Sequence, residues 1–278
     1  MHEHRLTIQK EKDNMSKIAS FNYDKCGVGN RVFQYAYARL FCEKNGYELS
    51  HSGIPELEIP ANELGKAEIN LYRPQRFLQD YNIYRDDLDS IKSWECFEPV
   101  DCVNENDLVI HLRAGNRFLA KNANHTSTAE ELGKAIESIE FDKLHVVTNL
   151  SKYDEWTLED INDAINRLKT KGGDGESAKK YREEYPFLNP EDALKYTNSF
   201  IDLFKKYDTI WASDSIKNDF NYLRKFRKIL FPRSTFSWWA AATGVSNEVY
   251  VYGPWAPHKS KTDGWLGETN YEGWKSWS

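Results

Sequence analysis

The chain has 278 residues, of which 40% are hydrophobic and 29% are charged, and its formal net charge is −6. This composition is typical of a soluble globular protein with one large domain or two of average size. A negative net charge with dispersed Lys and Arg residues argues against a nucleic acid or an anionic membrane surface as the main partner.

The predicted elements of the first third begin with a strand, a glycine-rich turn and a helix. A second strand and an irregular stretch that contains a further helix follow. In chain order, the ranges are Ile18–Asn22 for the first strand, Cys26–Asn30 for the turn, Arg31–Gly46 for the helix, Tyr47–Ser50 for the second strand, residues 51–106 for the irregular stretch and Asp86–Trp94 for the helix within it. A strand, glycine loop and helix in this order open a Rossmann-like α/β layer, although the GxGN loop alone is a weak signal.

The rest of the chain alternates between predicted strands and helices. The strands are Asp107–Leu112, Lys143–Thr148, Thr209–Ala212, Lys228–Phe231 and Glu248–Tyr252, and the helices are Ser127–Ile139 with a capping box, Thr157–Lys169, Asn189–Phe204 and Ser215–Phe226. This alternation predicts parallel sheets with right-handed crossovers. Gly172–Ser177 is predicted to be an exposed loop, and the Trp- and Gly-rich C-terminal tail is predicted to pack back on the body.

The stretch Phe231–Gly244 reads FPRSTFSWWAAATG and follows a predicted buried strand. Ser234 or Thr235 can cap a short helix that Gly244 ends. The start of such a helix offers free amides, hydroxyls and a partial positive charge, which suit a phosphate. A capped core helix with two packed tryptophans explains the local pattern as well.

Three polar segments are expected at the carboxyl ends of strands, where open α/β sheets bind ligands. They are the GVGN turn, His111–Arg113 and Ser234–Phe236. An arginine at a strand tip can bind phosphate oxygens in bidentate fashion. The charge of a leaving diphosphate can be neutralised by a metal ion or by an arginine with helix-start amides, and the sequence offers the second set, with Arg113 as the arginine. Since it has no convincing DxD loop to hold a metal, we expect no metal and no other cofactor. The alternatives are a structural salt bridge for Arg113 and a satisfied polar side chain for His111.

Three stretches, in the right order, resemble the alpha-1,2/alpha-1,6-fucosyltransferase superfamily. They are GVGNRVFQYAYARLF, VIHLRAGN and RSTFSWWAA. The resemblance covers most of the chain, with residues 51–100 and 150–200 aligned only loosely.

This resemblance implies a fold of the GT-B type, with two Rossmann-like domains facing a cleft. The expected division is a loose tail at 1–14, an acceptor-side domain at 15–106, a nucleotide-sugar domain at 107–255 and a C-terminal tail at 256–278. It also implies metal-independent, inverting transfer of a sugar, expected to be fucose from GDP-fucose, to a hydroxyl of a glycan acceptor. The residues matched to donor binding are Gly29, Asn30, Arg31, His111, Arg113, Asn149, Ser234, Thr235 and Phe236.

Departures from the family pattern leave alternatives open. Asn149 stands where relatives carry a carboxylate that can pair with guanine, so a UDP-linked sugar such as UDP-xylose is a second candidate donor. Ala114 replaces a second arginine and Asn116 an aspartate, which motivates a non-catalytic glycan-binding protein on the same scaffold. Asp24 is a candidate catalytic base, although its position beside the glycine loop favours a turn residue over that role.

The four cysteines form no CxxC pair and have no zinc-binding spacing, so we predict free thiols in a reducing compartment. The N-terminal residues are polar and do not resemble a secretory signal, and no apolar run reaches the roughly 18 residues of a membrane span. We therefore expect a soluble, cytoplasmic protein without a transmembrane segment.

Overall fold

A computed structural model of the chain describes residues 17–23, 26–71, 78, 81–113, 128–151, 153–171, 188–232, 234–252 and 273–277. The chain divides between Phe97 and Glu98 into two compact units, here called unit 1 and unit 2. Each unit holds a parallel β-sheet and helices, so the predicted α/β class is confirmed. The domain boundary predicted after residue 106 stays a prediction.

Unit 1 contains a three-stranded parallel sheet in the order β2-β1-β3. The strands β1, β2 and β3 are Lys17–Phe21, Tyr47–His51 and Ile69–Asn70; the helices α1 and α2 are Val28–Asn45 and Leu88–Lys92; short 3₁₀ turns cover Pro55–Leu57, Tyr81–Ile83 and Arg85–Asp87. Helix α1 joins the parallel strands β1 and β2, as a crossover connection requires. The helix predicted over Asp86–Trp94 is therefore a 3₁₀ turn followed by the short helix α2.

Helix α1 begins three residues earlier than the sequence predicted. The prediction that Val28, Gly29 and Asn30 belong to a turn before the helix is therefore wrong. Gly27 is the N-cap with φ −62° and ψ 154°, and Gly29 and Asn30 already lie in the first helical turn. The backbone of Gly27 is extended, as is usual for an N-cap residue, and the helix begins directly after it. At the other end, Gly46 has φ 68°, a left-handed conformation that suits glycine and ends the helix.

Unit 2 contains six parallel strands in the order β6-β5-β4-β7-β8-β9. The strands β4 to β9 are Leu108–Leu112, Leu144–Thr148, Thr209–Trp211, Lys228–Pro232, Glu248–Tyr252 and Lys275–Trp277. The helices α3 to α7 are Ala129–Glu137, Leu158–Lys171, Pro190–Lys205, Ile216–Leu223 and Thr235–Thr243. Counted within the unit, the strand order is 3-2-1-4-5-6, which is that of the doubly wound Rossmann sheet.

Helices cover both faces of this sheet. Leu108, Ile110 and Leu112 of β4 belong to a core that also contains side chains of α3, α4 and α5. The alternate residue His111 instead contacts α7, and His145 of β5 contacts α6. Successive strand residues point to opposite faces, so the near-continuous apolar strands are those of a sheet buried on both sides.

Local capping signals set most helix starts of unit 2. Asn189 caps α5 through the amide of Asp192, with a proline at the first helical position, as predicted. The capping box of α3 is shifted by one residue from the prediction, because Thr128 rather than Ser127 is the N-cap and Glu131 is its partner. None of the helices in the described ranges is long and apolar enough to cross a membrane.

The C-terminal segment adds the edge strand β9, which the sequence did not predict as a strand. Strand β9 pairs in parallel with β8, and the Trp274 ring lies 5.8 Å from the rings of both Phe231 and Trp238. This part of the predicted tail therefore packs on unit 2. The predicted loop Gly172–Ser177 and residues 253–272 lie outside the described residues.

Candidate functional site

The strands β4 and β7 are neighbours at the point where the strand order of unit 2 reverses. They run in parallel, with Leu108 opposite Lys228 and Ile110 opposite Leu230. The residues that follow them, Arg113 after β4 and Ser234 after β7, therefore leave the same edge of the sheet. This carboxyl edge, at the switch point, is where doubly wound sheets bind ligands.

A side-chain hydrogen bond joins the two strand ends. The Nδ1 atom of His111 on β4 is hydrogen-bonded to the hydroxyl of Ser237 in the first turn of α7. Ser237 was not among the site residues predicted from the sequence, although its position three residues after the cap Ser234 is a signal that it faces back toward the strand end. The hydrogen bond fixes the orientation of the imidazole relative to the start of the helix.

Ser234 acts as the cap of α7, because its hydroxyl accepts the amide of Ser237 at 3.4 Å and its side chain is buried. The amide of Trp238 is bonded to the carbonyl of Ser234. Within the described residues, the amides of Thr235 and Phe236 have no acceptor. These two amides, with the positive end of the helix dipole, are the donors that α7 offers to an anion.

Helix α7 is mostly apolar and almost completely buried. Trp238 and Trp239 are 1% and 0% exposed, and their rings contact each other at 4.9 Å in an edge-to-face arrangement. The three alanines that follow are also buried. The helix start is therefore held rigidly, since its body is part of the core. The core-helix interpretation and the anion-site interpretation of this stretch are compatible.

His111 is neutral at physiological pH. Burial, with the charge of Arg113 as a second cause, lowers its pKa to about 3. His111 can therefore donate or accept a hydrogen bond at this edge, but Arg113 has to supply the positive charge.

Of the other predicted residues of unit 2, two lie at the carboxyl ends of strands and one packs against His111. Asn149 and Arg113 each follow directly after the paired residues Thr148 and Leu112 of β5 and β4, and both are exposed. Phe236 packs against the His111 ring with a centroid distance of 5.5 Å. Phe236 therefore supports the imidazole through its ring, and only its backbone amide is a candidate ligand donor.

Gly29, Asn30 and Arg31 belong to unit 1, in the first turn of α1. The guanidinium of Arg31 forms an ion pair with Glu56, and the hydrogen bond from Arg31 lowers the pKa of the Glu56 carboxyl. The Nε atom of Arg31 is buried and has no hydrogen-bond partner within the described ranges. Asp24, the candidate base, lies outside the described residues.

Among the described residues, no group of three His, Cys, Asp or Glu side chains is arranged to hold a metal ion. The four cysteines are free thiols, as predicted. Comparisons of this chain with protein-family models, with curated proteins and with solved structures find no match. The candidate site is therefore defined by its own residues and geometry.

Proposed function

We propose that this chain is a glycosyltransferase of the GT-B type that transfers a sugar, in the first instance fucose from GDP-fucose, to a hydroxyl of a glycan. The single observation that carries the proposal is that the end of β4, which bears His111 and is followed by Arg113, and the start of α7 lie at the same sheet edge, where His111 is hydrogen-bonded to Ser237. The motif resemblance noted in the sequence supports the same interpretation.

The chemistry of the transfer requires stabilisation of a leaving group. The acceptor hydroxyl oxygen bonds to the anomeric carbon as the bond from that carbon to the phosphate oxygen breaks, and the nucleoside diphosphate leaves with the electron pair. Arg113 and the amides of Thr235 and Phe236 would neutralise the charge that develops on the diphosphate. Neutral His111, held by Ser237, would add one hydrogen bond without adding charge.

The proton of the attacking hydroxyl needs an acceptor, and Asp24 remains our candidate for that base. Gly29, Asn30 and Arg31 of unit 1 are proposed as further donor contacts, as the motif resemblance implies. Because Arg31 is already paired with Glu56, its contribution would be positional, since most of its charge is compensated.

The test is release of GDP from GDP-fucose, with and without glycan acceptors, by the full chain. Replacement Arg113→Ala should lower turnover by about 100-fold or more, because it removes a charge-assisted contact made in the transition state. The matched control is Arg227→Ala, which removes an arginine that precedes β7 at the opposite edge and pairs with Glu105. Equal turnover of the two variants would reject the proposal.

The identity of the nucleotide is tested separately by thermal stabilisation with GDP, UDP, GDP-fucose and UDP-xylose. Because a ligand that binds only the folded state raises the melting temperature, the stabilising pair identifies the base. Stabilisation by UDP and UDP-xylose alone would replace GDP-fucose by the UDP-sugar alternative. Stabilisation by none of the four would reject a nucleotide-sugar site.

A further inference from the structure

A cavity of about 500 Å³ lies in unit 1, on the flank of α1 and the edge strand β2. Tyr35 and Arg39 line it from α1, Tyr47 and His51 from the two ends of β2, and Glu95 from the segment after α2. Its size is within the range of about 300–1,000 Å³ that small-molecule sites have. Gly29, Asn30 and Arg31 are not among its lining residues, so the proposed donor contacts do not account for it.

His51, one of the lining residues, offers a hydrogen-bond donor at this cavity. Its Nδ1 atom lies 3.1 Å from the backbone nitrogen of Gly53 and 2.9 Å from the hydroxyl oxygen of Tyr23. A backbone N–H can only donate, so Nδ1 is the acceptor and the neutral ring carries its proton on Nε2. Burial, with the charge of Arg39 as a second cause, lowers the pKa of His51 and keeps the ring neutral.

The Nε2–H group of His51 has no hydrogen-bond partner among the described residues, although the side chain is only 9% exposed. This nitrogen is not among the buried unpaired atoms of the described residues, so it is open to water or to a bound ligand. The ring is held beside that of Tyr35, with a centroid distance of 5.2 Å. A ligand oxygen in the cavity would supply the missing acceptor.

The charges around the cavity exclude an anionic ligand. The guanidinium of Arg39 donates to both carboxylate oxygens of Glu95 and to Glu43, each at 2.9 Å, so its charge is already compensated. Glu48 adds a further carboxylate to the lining. A phosphate or a nucleotide would meet this excess of negative charge and would be repelled.

A ligand that fits this lining is neutral, accepts a hydrogen bond from His51, donates hydrogen bonds to carboxylates and packs on aromatic rings. The hydroxyl groups of a sugar both donate and accept, and the C–H face of a sugar ring packs on aromatic side chains. We propose that this cavity of unit 1 binds a neutral saccharide, with a hydroxyl oxygen of the ligand on Nε2–H of His51. An organic ammonium ion would satisfy the carboxylates, but its N–H groups offer no acceptor to His51.

The inference depends on the lining residues of unit 1 and not on the proposed diphosphate site of unit 2; if the proposed function holds, the saccharide is a candidate acceptor. The experiment is saturation-transfer difference NMR on the full chain, with lactose, cellobiose and N,N′-diacetylchitobiose as probes and spermidine as the cationic comparison. At least one disaccharide should bind. Replacement His51→Phe should weaken that binding by about tenfold, the value of one hydrogen bond.

Two tryptophan substitutions keep the test decisive if His51→Phe fails to fold. Ala61 is an exposed residue of the cavity lining, and Ala61→Trp should fill the cavity and abolish binding. Ser52 is exposed and lies outside the lining, so Ser52→Trp is the matched control and should bind normally. Absence of disaccharide binding, binding that survives Ala61→Trp, or binding of spermidine alone would overturn the inference. Loss of GDP binding by unit 2 would not affect it.

Discussion

Acidification from pH 7 to pH 5 is expected to destabilise the protein through His111. The pKa of this residue is about 3 in the folded chain, against 6.5 for an unperturbed histidine. As the pH falls through 6.5, the unfolded chain binds a proton at this position and the folded chain does not. The free energy of unfolding therefore decreases as the pH falls, and stability is fully retained only above that value.

The expected loss from His111 between pH 7 and pH 5 is about 2 kcal/mol, since a tenfold change in proton affinity corresponds to about 1.4 kcal/mol. Partial exposure of the ring to solvent makes this an upper value. The assay is urea unfolding at both pH values, followed by tryptophan emission. Most of the described tryptophans belong to unit 2: Trp156, Trp211, Trp238, Trp239, Trp274 and Trp277.

The matched variant for this experiment is His111→Asn, which places a short amide opposite Ser237 but cannot titrate. The pKa of His51 is also lowered, so the difference between wild type and variant, and not the wild-type slope, reports on His111. The wild type should lose up to about 2 kcal/mol more than the variant over this range. Identical pH dependence in both proteins would refute the assignment of a neutral, partly buried His111.

Three further predictions concern the stability of unit 2, each measured by chemical unfolding. Replacement Ser237→Ala should cost about 1–3 kcal/mol, because it leaves His111 without its partner; a cost below about 0.5 kcal/mol would contradict the geometry. Replacement Gly244→Ala should cost about 1–3 kcal/mol or more, since the new Cβ would lie 2.4 Å from the carbonyl oxygen of Arg224; unchanged stability would show that the backbone can move. Replacement Thr128→Ala should lower the free energy of unfolding by about 1 kcal/mol, because it removes the cap of α3. Thr128→Ser keeps a capping hydroxyl and should retain most of that stability.

The strands and most helices of unit 2 could be predicted because their signals are local. Strand β8 has the predicted bounds, and Asn189 and Ser234 cap the helices that they were predicted to start. Local rules also explain the errors. Two residues at the start of α3 can each act as a cap, and the sequence alone favoured Ser127 where the structure uses Thr128.

Features that depend on distant parts of the chain were not predicted. Strand β9 is only three residues long and exists because it pairs with β8 and because Trp274 packs on Phe231 and Trp238. The cavity beside His51 depends on segments of unit 1 that are far apart in sequence. The sequence placed Arg113 and Ser234 at one sheet edge through the rule for parallel strands, but it did not reveal the hydrogen bond between His111 and Ser237 that connects them.

The central claim is that Arg113 and the start of α7 bind the same diphosphate, and the affinities for GDP and guanosine test it most directly. Calorimetric titration of the wild type should show much tighter binding of GDP than of guanosine. Replacement Arg113→Ala should weaken GDP binding by about 10- to 150-fold, the range for a charged hydrogen bond, and leave guanosine binding unchanged. UDP and uridine form the second pair, and Arg227→Ala is the control. If Arg113→Ala leaves the preference for the diphosphate unchanged with both pairs, the account is wrong.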